Sequence, residues 1–279
     1  MKLKDKISIV TGAAQGIGRG IADRFVKEGA FVAVSDYKEP RTKLLSGQQF
    51  FQGDVSDPAL WIRITSRLLE EHGQIHVLVN NAAIIQHARV HEVQLEDWNR
   101  ALAVNLTSVM LGMRAVIPGM LTNGGGSIIN LSSIWGSVAA PGAASYHATK
   151  AGVAHLTKNA AVTYAKNNIR VNAIHPGAIH TPMMEEMPKD TLAWVISQTP
   201  EGRTGNPRIS PLALSISQAT RQRSSLARSC GSTVATPRSE HQHWTKRESW
   251  ECYASRLLRR SPNKGGRLKA DSCIRGFWN

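Results

Sequence analysis

Tyr146 and Lys150 stand four residues apart in ASYHATK, a stretch with helical periodicity. That spacing puts a phenol and an ammonium on one helix face. A free tyrosine titrates near ~10 and is a poor base at neutral pH. A cation one turn away would favour its phenolate and make it a usable proton donor and acceptor. Ser133 follows an apolar run, Ser127 to Leu131, that reads as a buried strand, and its hydroxyl could hydrogen-bond the same substrate oxygen. The arrangement suggests proton transfer to or from a carbinol oxygen. Taken singly, a Tyr-Lys pair equally describes a solvated helix face, and Ser-Ser after a strand equally describes a turn.

The elements that would position these groups run through the first 207 residues. Ile7–Val10 is a β-branched run followed by TGAAQGIG and an amphipathic stretch to about Glu28, the pattern of strand, glycine-rich turn and helix. Gly12, Gly16 and Gly18, with Gln15 and Ile17 between them, would let backbone approach a phosphate at a helix N-terminus. The same spacing also describes a plain tight turn. Phe31–Ser35 reads as a second strand ending in Asp36, whose carboxylate suits the two hydroxyls of an adenosine ribose and repels a 2′-phosphate. Neither Gln15 nor Tyr37 supplies a compensating cation, which favours NAD over NADP. Gln48–Val55 reads as a third strand with Asp54 and Val55 at its end, and Asp57-Pro58 opens a helix to about Glu71. Ile75–Val79 is a fourth strand leading into NNAA at 80–83. Leu95 to Leu121 is a long helical pattern enclosing Asn105, a polar residue that needs partners if buried. Arg170–Ile174 is a further strand, followed by Pro176-Gly177 and Thr181-Pro182. Strands alternating with helices, with special residues at strand carboxyl ends, predict an α/β fold: a Rossmann-like doubly wound parallel sheet with helices on both faces.

With these pieces in order, residues 1–207 resemble a short-chain dehydrogenase/reductase. The resemblance rests on TGAAQGIG, Asp54, NNAA (where the family usually has NNAG), Asn105, Ser133, YHATK and PGAIHTP. It implies that Tyr146 is the general acid/base and that Ser133 orients the substrate oxygen. It implies that Lys150 lowers the tyrosine pKa and holds the nicotinamide ribose, with Asn105 supporting a water relay. It assigns cofactor binding to Gly12, Gln15, Gly16, Ile17, Gly18, Asp36, Asp54, Val55, Asn80, Ala82, Tyr146, Lys150, Pro176, Gly177, Ile179 and Thr181. The implied reaction is hydride transfer between a nicotinamide, NAD rather than NADP, and a secondary alcohol or ketone. Ile84, Ile85, Ile134, Trp135, Val138, Ile179, Met183 and Met184 are expected around an apolar pocket, with Met183–Ile196 as its lid and cyclic or hydroxysteroid-like alcohols closest in character.

Composition bounds the rest. The chain has 279 residues, 42% of them hydrophobic, and no apolar run of membrane-spanning length is expected. The start, MKLKDKISIV, enters a strand directly without a signal-peptide pattern, so a cytoplasmic protein with no membrane partner is expected. Cys230, Cys252 and Cys273 match no common zinc spacing, and no metal is expected. Net charge is +14, but residues 208–279 carry 14 Lys/Arg and 4 Asp/Glu, so the basicity is concentrated in a tail with 12 Ser and 11 Arg. There the family expects a helix, a final strand and Val-Asp-Gly-Gly, so both elements are expected to be missing or replaced, and a family-like homo-oligomer to be disrupted. The tail reads either as a disordered basic segment or as the product of a slipped reading frame. In a shifted frame, residues 229–236 can encode Leu-Trp-Val-Asp-Gly-Gly-Tyr, and residues 215–222 can encode Tyr-Leu-Ala-Ser-Asp-Glu-Ala. Two other functional readings remain beside the dehydrogenase. One is nucleic-acid binding through the tail, with Trp244, Trp250, Tyr253 and Trp278 stacking on bases, though no nucleic-acid motif supports it. The other is a catalytically impaired remnant.

Overall fold

The computed structural model describes residues 1–199 and 201–206, together with the backbone of residues 230–231. All lie in the first of the two units, 1–237, into which the chain divides. The expected alternation is observed. In order it runs β1 (Ile7–Thr11), α1 (Gly16–Lys27), β2 (Phe31–Asp36), β3 (Gln48–Gln52), α2 (Pro58–His72) and β4 (Val77–Asn80). It continues through α3 (Leu95–Leu102), α4 (Ser108–Thr122), β5 (Gly126–Leu131), α5 (Ala144–Thr163), β6 (Ile169–His175), α6 (Pro182–Glu185) and α7 (Lys189–Ser197). The strands form one sheet in the order β3-β2-β1-β4-β5-β6, and every pairing is parallel.

Parallel strands are covered on both faces and therefore read as continuous apolar runs rather than alternating ones. All of β1 and β4 is buried. On one face α2, α4 and α5 pack against Ile9, Leu78, Ile128 and Val171. On the other, α1 packs through Ile21, Ala22 and Phe25 over Val32, Val34 and Val79. Local signals set the helix ends. Asp57 caps α2 by accepting from the Ala59 N–H at 2.9 Å, Pro58 fills its first position, and Gly73 closes it at φ 75°.

Three expectations are corrected. The third strand ends at Gln52, and Asp54 and Val55 lie in the loop beyond it, where the Gly53 N–H is held by the Asp36 carbonyl. The long pattern from Leu95 is not one regular helix, because residues Ala103–Thr107 form a π turn between α3 and α4. That 28-residue stretch, Leu95–Thr122, is also long and apolar enough to cross a membrane by length and composition. Here it serves as core, with Val104, Val109, Val116 and Met120 buried against the sheet. At the far edge a two-residue strand, β7 (Cys230–Gly231), pairs in parallel with Ile174 and His175, so the edge of β6 is covered over two residues. The rest of the expected basic tail lies outside the described residues.

Candidate active site

Strand order reverses between β1 and β4, and the crevice at their carboxyl ends is where a doubly wound sheet takes a ligand. The two strand ends are tied together. Thr11 Oγ1 accepts from the Asn81 and Ala82 N–H groups, and the Asn81 amide donates to the Thr11 and Gly12 carbonyls at 2.8 and 3.0 Å. Gly12 has φ +61°, and a Cβ there would come within 2.7 Å of Ala82 Cα. Gly16 opens α1 at φ +59°, so the first turn of α1 presents its N–H groups to the crevice.

This crevice is a cavity of about 390 Å³ lined by Gly12, Gln15, Gly16, Ile17, Asp36, Asp54, Val55, Ala82 and Thr181, all expected there. Asp36 is fixed at the end of β2, where one carboxylate oxygen accepts from the Ala14 N–H at 2.9 Å and the other from the Lys38 N–H at 3.0 Å. Asp54 accepts from Ser56 and pairs with Arg100 at 2.7 Å. Burial pushes the Asp54 carboxyl up, but the Ser56 hydrogen bonds and the Arg100 guanidinium outweigh it and hold the group below its ordinary value. Several lining residues escaped the sequence reading. Arg100 and Val104 are among them, and so is Lys38, a cationic residue two positions after Asp36, whereas Asn81 lies in the expected NNAA segment. The Asn80 side chain does not line this cavity. It is buried and donates to Asn130 Oδ1 at 2.9 Å, because β4 turns alternate side chains to opposite faces.

The residues expected to take part in proton transfer converge from three elements. β5 delivers Ser132 and Ser133, α5 carries Tyr146 and Lys150, and the π turn places Asn105. Ser132 Oγ donates to the Lys150 carbonyl at 2.8 Å, which clamps the strand end to α5. Lys150 is buried and donates through Nζ to the Leu131 carbonyl at 2.7 Å, with Nζ 5.5 Å from the centroid of the Tyr146 ring. Burial lowers its ammonium to about 8. The expected depression of the Tyr146 pKa by Lys150 is not what this geometry gives. Burial pushes the phenol up, and a hydrogen bond with Ser133 offsets only part of that. Asn105 is fully buried. Its amide donates to the Ile84 carbonyl and Thr149 Oγ1, and its Oδ1 accepts from the Ile84 N–H at 2.8 Å. It therefore braces the loop after β4 against α5. A π turn at such a position is a recurrent mark of functional sites, and helical periodicity alone gives no sign of it.

A second cleft of about 100 Å³ opens beside Ser133 and Tyr146. Ile85, Ile134, Trp135, Ile179, Met183 and Met184 line it as expected, with Gly177, Thr181, Met187 and Val195. Val138 does not line it and is exposed, and Ile84 lines the larger cavity instead. Pro176 lines neither. Its carbonyl accepts from the Ile134 N–H at 3.1 Å and sets the turn after β5. Thr181 borders both spaces, so the crevice and the cleft meet at one wall.

Residues 12–213 match the family described as enoyl-(acyl carrier protein) reductase. The chain is 38% identical to a 2,5-dichloro-2,5-cyclohexadiene-1,4-diol dehydrogenase of Sphingobium indicum, over 74% of this chain and 86% of that protein. It is also 38% identical to an NADP-dependent (R)-specific alcohol dehydrogenase of Lentilactobacillus kefiri, again over 74% and 86%. Among solved structures, the ligand-free aldohexose dehydrogenase of Thermoplasma acidophilum superposes with a TM-score of 0.70 at 31% identity, covering 78% of this chain and 88% of that one.

Proposed function

The chain belongs to the short-chain dehydrogenase/reductase family of nicotinamide-dependent oxidoreductases, and from that premise we propose that it is an NAD-dependent dehydrogenase of an uncharged secondary alcohol and its ketone. The observation that carries this reading is the junction of the two spaces, which share Ile85, Thr181 and Met183: a crevice with a glycine turn and a fixed carboxylate meets an apolar cleft lined by Ser133 and the half-buried phenol of Tyr146.

The residues present fit a dinucleotide. Gly12 and Gly16 leave the turn without side chains, the first turn of α1 suits a pyrophosphate, and Asp36 suits a ribose diol. Lys150 would hold the second ribose. The nicotinamide, when bound, supplies or accepts the hydride, and the protein supplies orientation and electrostatics. In ketone reduction Tyr146 gives its proton to the carbonyl oxygen while Ser133 holds that oxygen in place. In the reverse direction the phenolate takes the proton. Among the described residues, no carboxylate and no cation lines the cleft around the carbinol, which favours a neutral, apolar substrate body. Asp36 supports NAD. Lys38 in the same cavity weakens that preference, and one relative is NADP-dependent by name.

The test is hydride transfer followed by nicotinamide absorbance, with NAD and NADP each offered a neutral cyclic secondary alcohol. NAD should give the higher kcat/KM, and Asp36→Ala should narrow the gap by removing repulsion of the 2′-phosphate. A parent that already prefers NADP would overturn the assignment of Asp36. Failure of both cofactors to bind would overturn the dehydrogenase reading itself.

A further inference from the structure

We propose that Trp135 is the specificity-determining wall of the substrate cleft and that His147 is the positioning residue that fixes it, so that the site prefers a carbinol borne on a ring over one on an open chain. This deepens the dehydrogenase reading and rests on it for the location of the substrate.

Trp135 lies in the 3-10 turn that follows Ser133, and its backbone has little freedom. Its N–H donates to Ser133 Oγ at 3.2 Å. The next residue, Gly136, is pressed onto α5, where a Cβ would meet the Lys150 carbonyl carbon and oxygen at 2.8 Å. The indole is held as well. His147 stacks on it with ring centroids 5.1 Å apart and planes 7° from parallel, and Tyr146 stands perpendicular to it at 6.0 Å and 89°. Adjacent residues on a helix diverge by about 100°, so Tyr146 can face the reacting centre while His147 falls over the loop after β5.

His147 has no spare freedom either. Its Nε2 accepts from the Ala140 N–H at 3.0 Å, so the proton sits on Nδ1, which donates to the Ala143 carbonyl at 2.9 Å. Ala143 is itself fully buried and held in the left-handed region at φ +51°. The imidazole thus ties together two positions of the loop between β5 and α5, and its ring face then fixes the indole.

The cleft therefore has two unlike walls. One is a flat, fixed indole. The other is made of Met183, Met184 and Met187, unbranched side chains that adapt their shape. A cleft lined by a fixed flat group together with yielding ones suits a compact ring, which meets the indole without losing internal rotations. An open chain of equal carbon count has to freeze its rotors to make the same contact.

The test uses unreactive probes, so that it is read whether or not hydride transfer occurs. The affinities of cyclohexanecarboxamide and of heptanamide are measured on the NADH-loaded full chain, alongside the fluorine NMR signal of Trp135 in fluorotryptophan-labelled protein. The parent should prefer the ring. His147→Ala should reduce that preference roughly threefold to tenfold, the range of an aromatic pair, and should shift the Trp135 signal while NADH affinity stays unchanged. His147→Phe keeps a flat partner for the indole and should retain the preference, while Trp135→Leu should abolish it. An unchanged preference in His147→Ala, or an equal loss in His147→Phe, overturns the proposal. Loss of hydride transfer in a parent that still prefers the ring overturns the redox reading alone.

Discussion

At the scale of residues, the upward push on Tyr146 and the downward one on Lys150 decide how the site responds to pH. A phenol raised by burial is protonated at neutral pH and ready to donate, so ketone reduction should need no activation while alcohol oxidation waits for the phenolate. We expect kcat/KM for oxidation to rise with pH through the alkaline range and that for reduction to fall. A flat oxidation profile would remove Tyr146 from the proton path. Tyr146→Phe should lower kcat by about 10²–10⁴-fold, the usual contribution of a positioned acid/base, with NADH affinity nearly unchanged. Turnover within a few fold of the parent would contradict its role. Lys150 gives a stability prediction. Its folded-state value of about 8 lies below the unfolded value near ~10.4, so between the two the unfolded chain binds more protons and stability rises with pH. The burial penalty is fully present below about 8 and relieved above ~10.4, a difference of about 3 kcal/mol. Lys150→Met should lack that rise, which denaturant melts of both proteins across this window would show. The spacing of Ser133, Tyr146 and Lys150 was legible as one strand-turn-helix unit, but only the resemblance of the whole body gave the three a common role. Arg100 was not legible, since it reaches the cavity from α3 and only the assembled fold brings it there, whereas Lys38, two residues after Asp36, stood in view of the sequence and was passed over.

At the scale of elements, the π turn between α3 and α4 does the least predictable work. The sequence from Leu95 reads as an unbroken helix, and only the extra residue in the turn swings Asn105 inward to bridge Ile84 and Thr149. Asn105→Ala would leave the Ile84 N–H and carbonyl without their partners in a part-buried site, at a cost of about 1–3 kcal/mol. The Ile84–Ile85 segment borders both spaces, so the same change should lower kcat and weaken NADH binding together. A variant with the parental melting temperature and parental NADH affinity would show that the brace is dispensable. The strands, by contrast, were legible nearly to the residue. Burial on both faces imposes an apolar run on each, and each run ends where the chain turns out to the crevice. Where the reading failed, at Gln52, the sequence QQFFQ lacks the uniform apolar character of an interior strand, as suits the edge position of β3.

At the scale of the whole molecule, the two faces of the sheet are unevenly supplied. Three helices, α2, α4 and α5, cover one face, whereas among the described residues the helical members of the opposite core come from α1 alone. That second face carries Val77, Val79, Ile129, Leu131 and Ile174, an apolar band that a parallel sheet has to cover. The family match ends at residue 213, and the composition turns basic and Ser-rich from residue 208. We propose a slipped frame after Pro207 as the common cause of these observations, since residues 215–222 and 229–236 can, in a shifted frame, encode the sequences that the resemblance leads one to expect there. The short strand β7 falls on Cys230–Gly231, beside Ile174–His175, at codons whose shifted reading can give Leu-Trp-Val. We therefore expect that restoring the frame after Pro207 stabilises the protein. A completed final strand would cover the remaining edge of β6, and the preceding helix would bury aliphatic side chains at about 1.5–3 kcal/mol each. Several such residues rival the whole stability of a typical domain, about 5–15 kcal/mol. Thermal melts and limited proteolysis of the chain as it stands, of a version ending at Pro207 and of the frame-restored version provide the comparison. The first two should be similarly labile and the third distinctly more resistant. If the chain as it stands instead melts cooperatively at the temperature of the restored one, with residues 208–279 protected from protease, then that segment supplies the second layer itself and the frame slip is refuted.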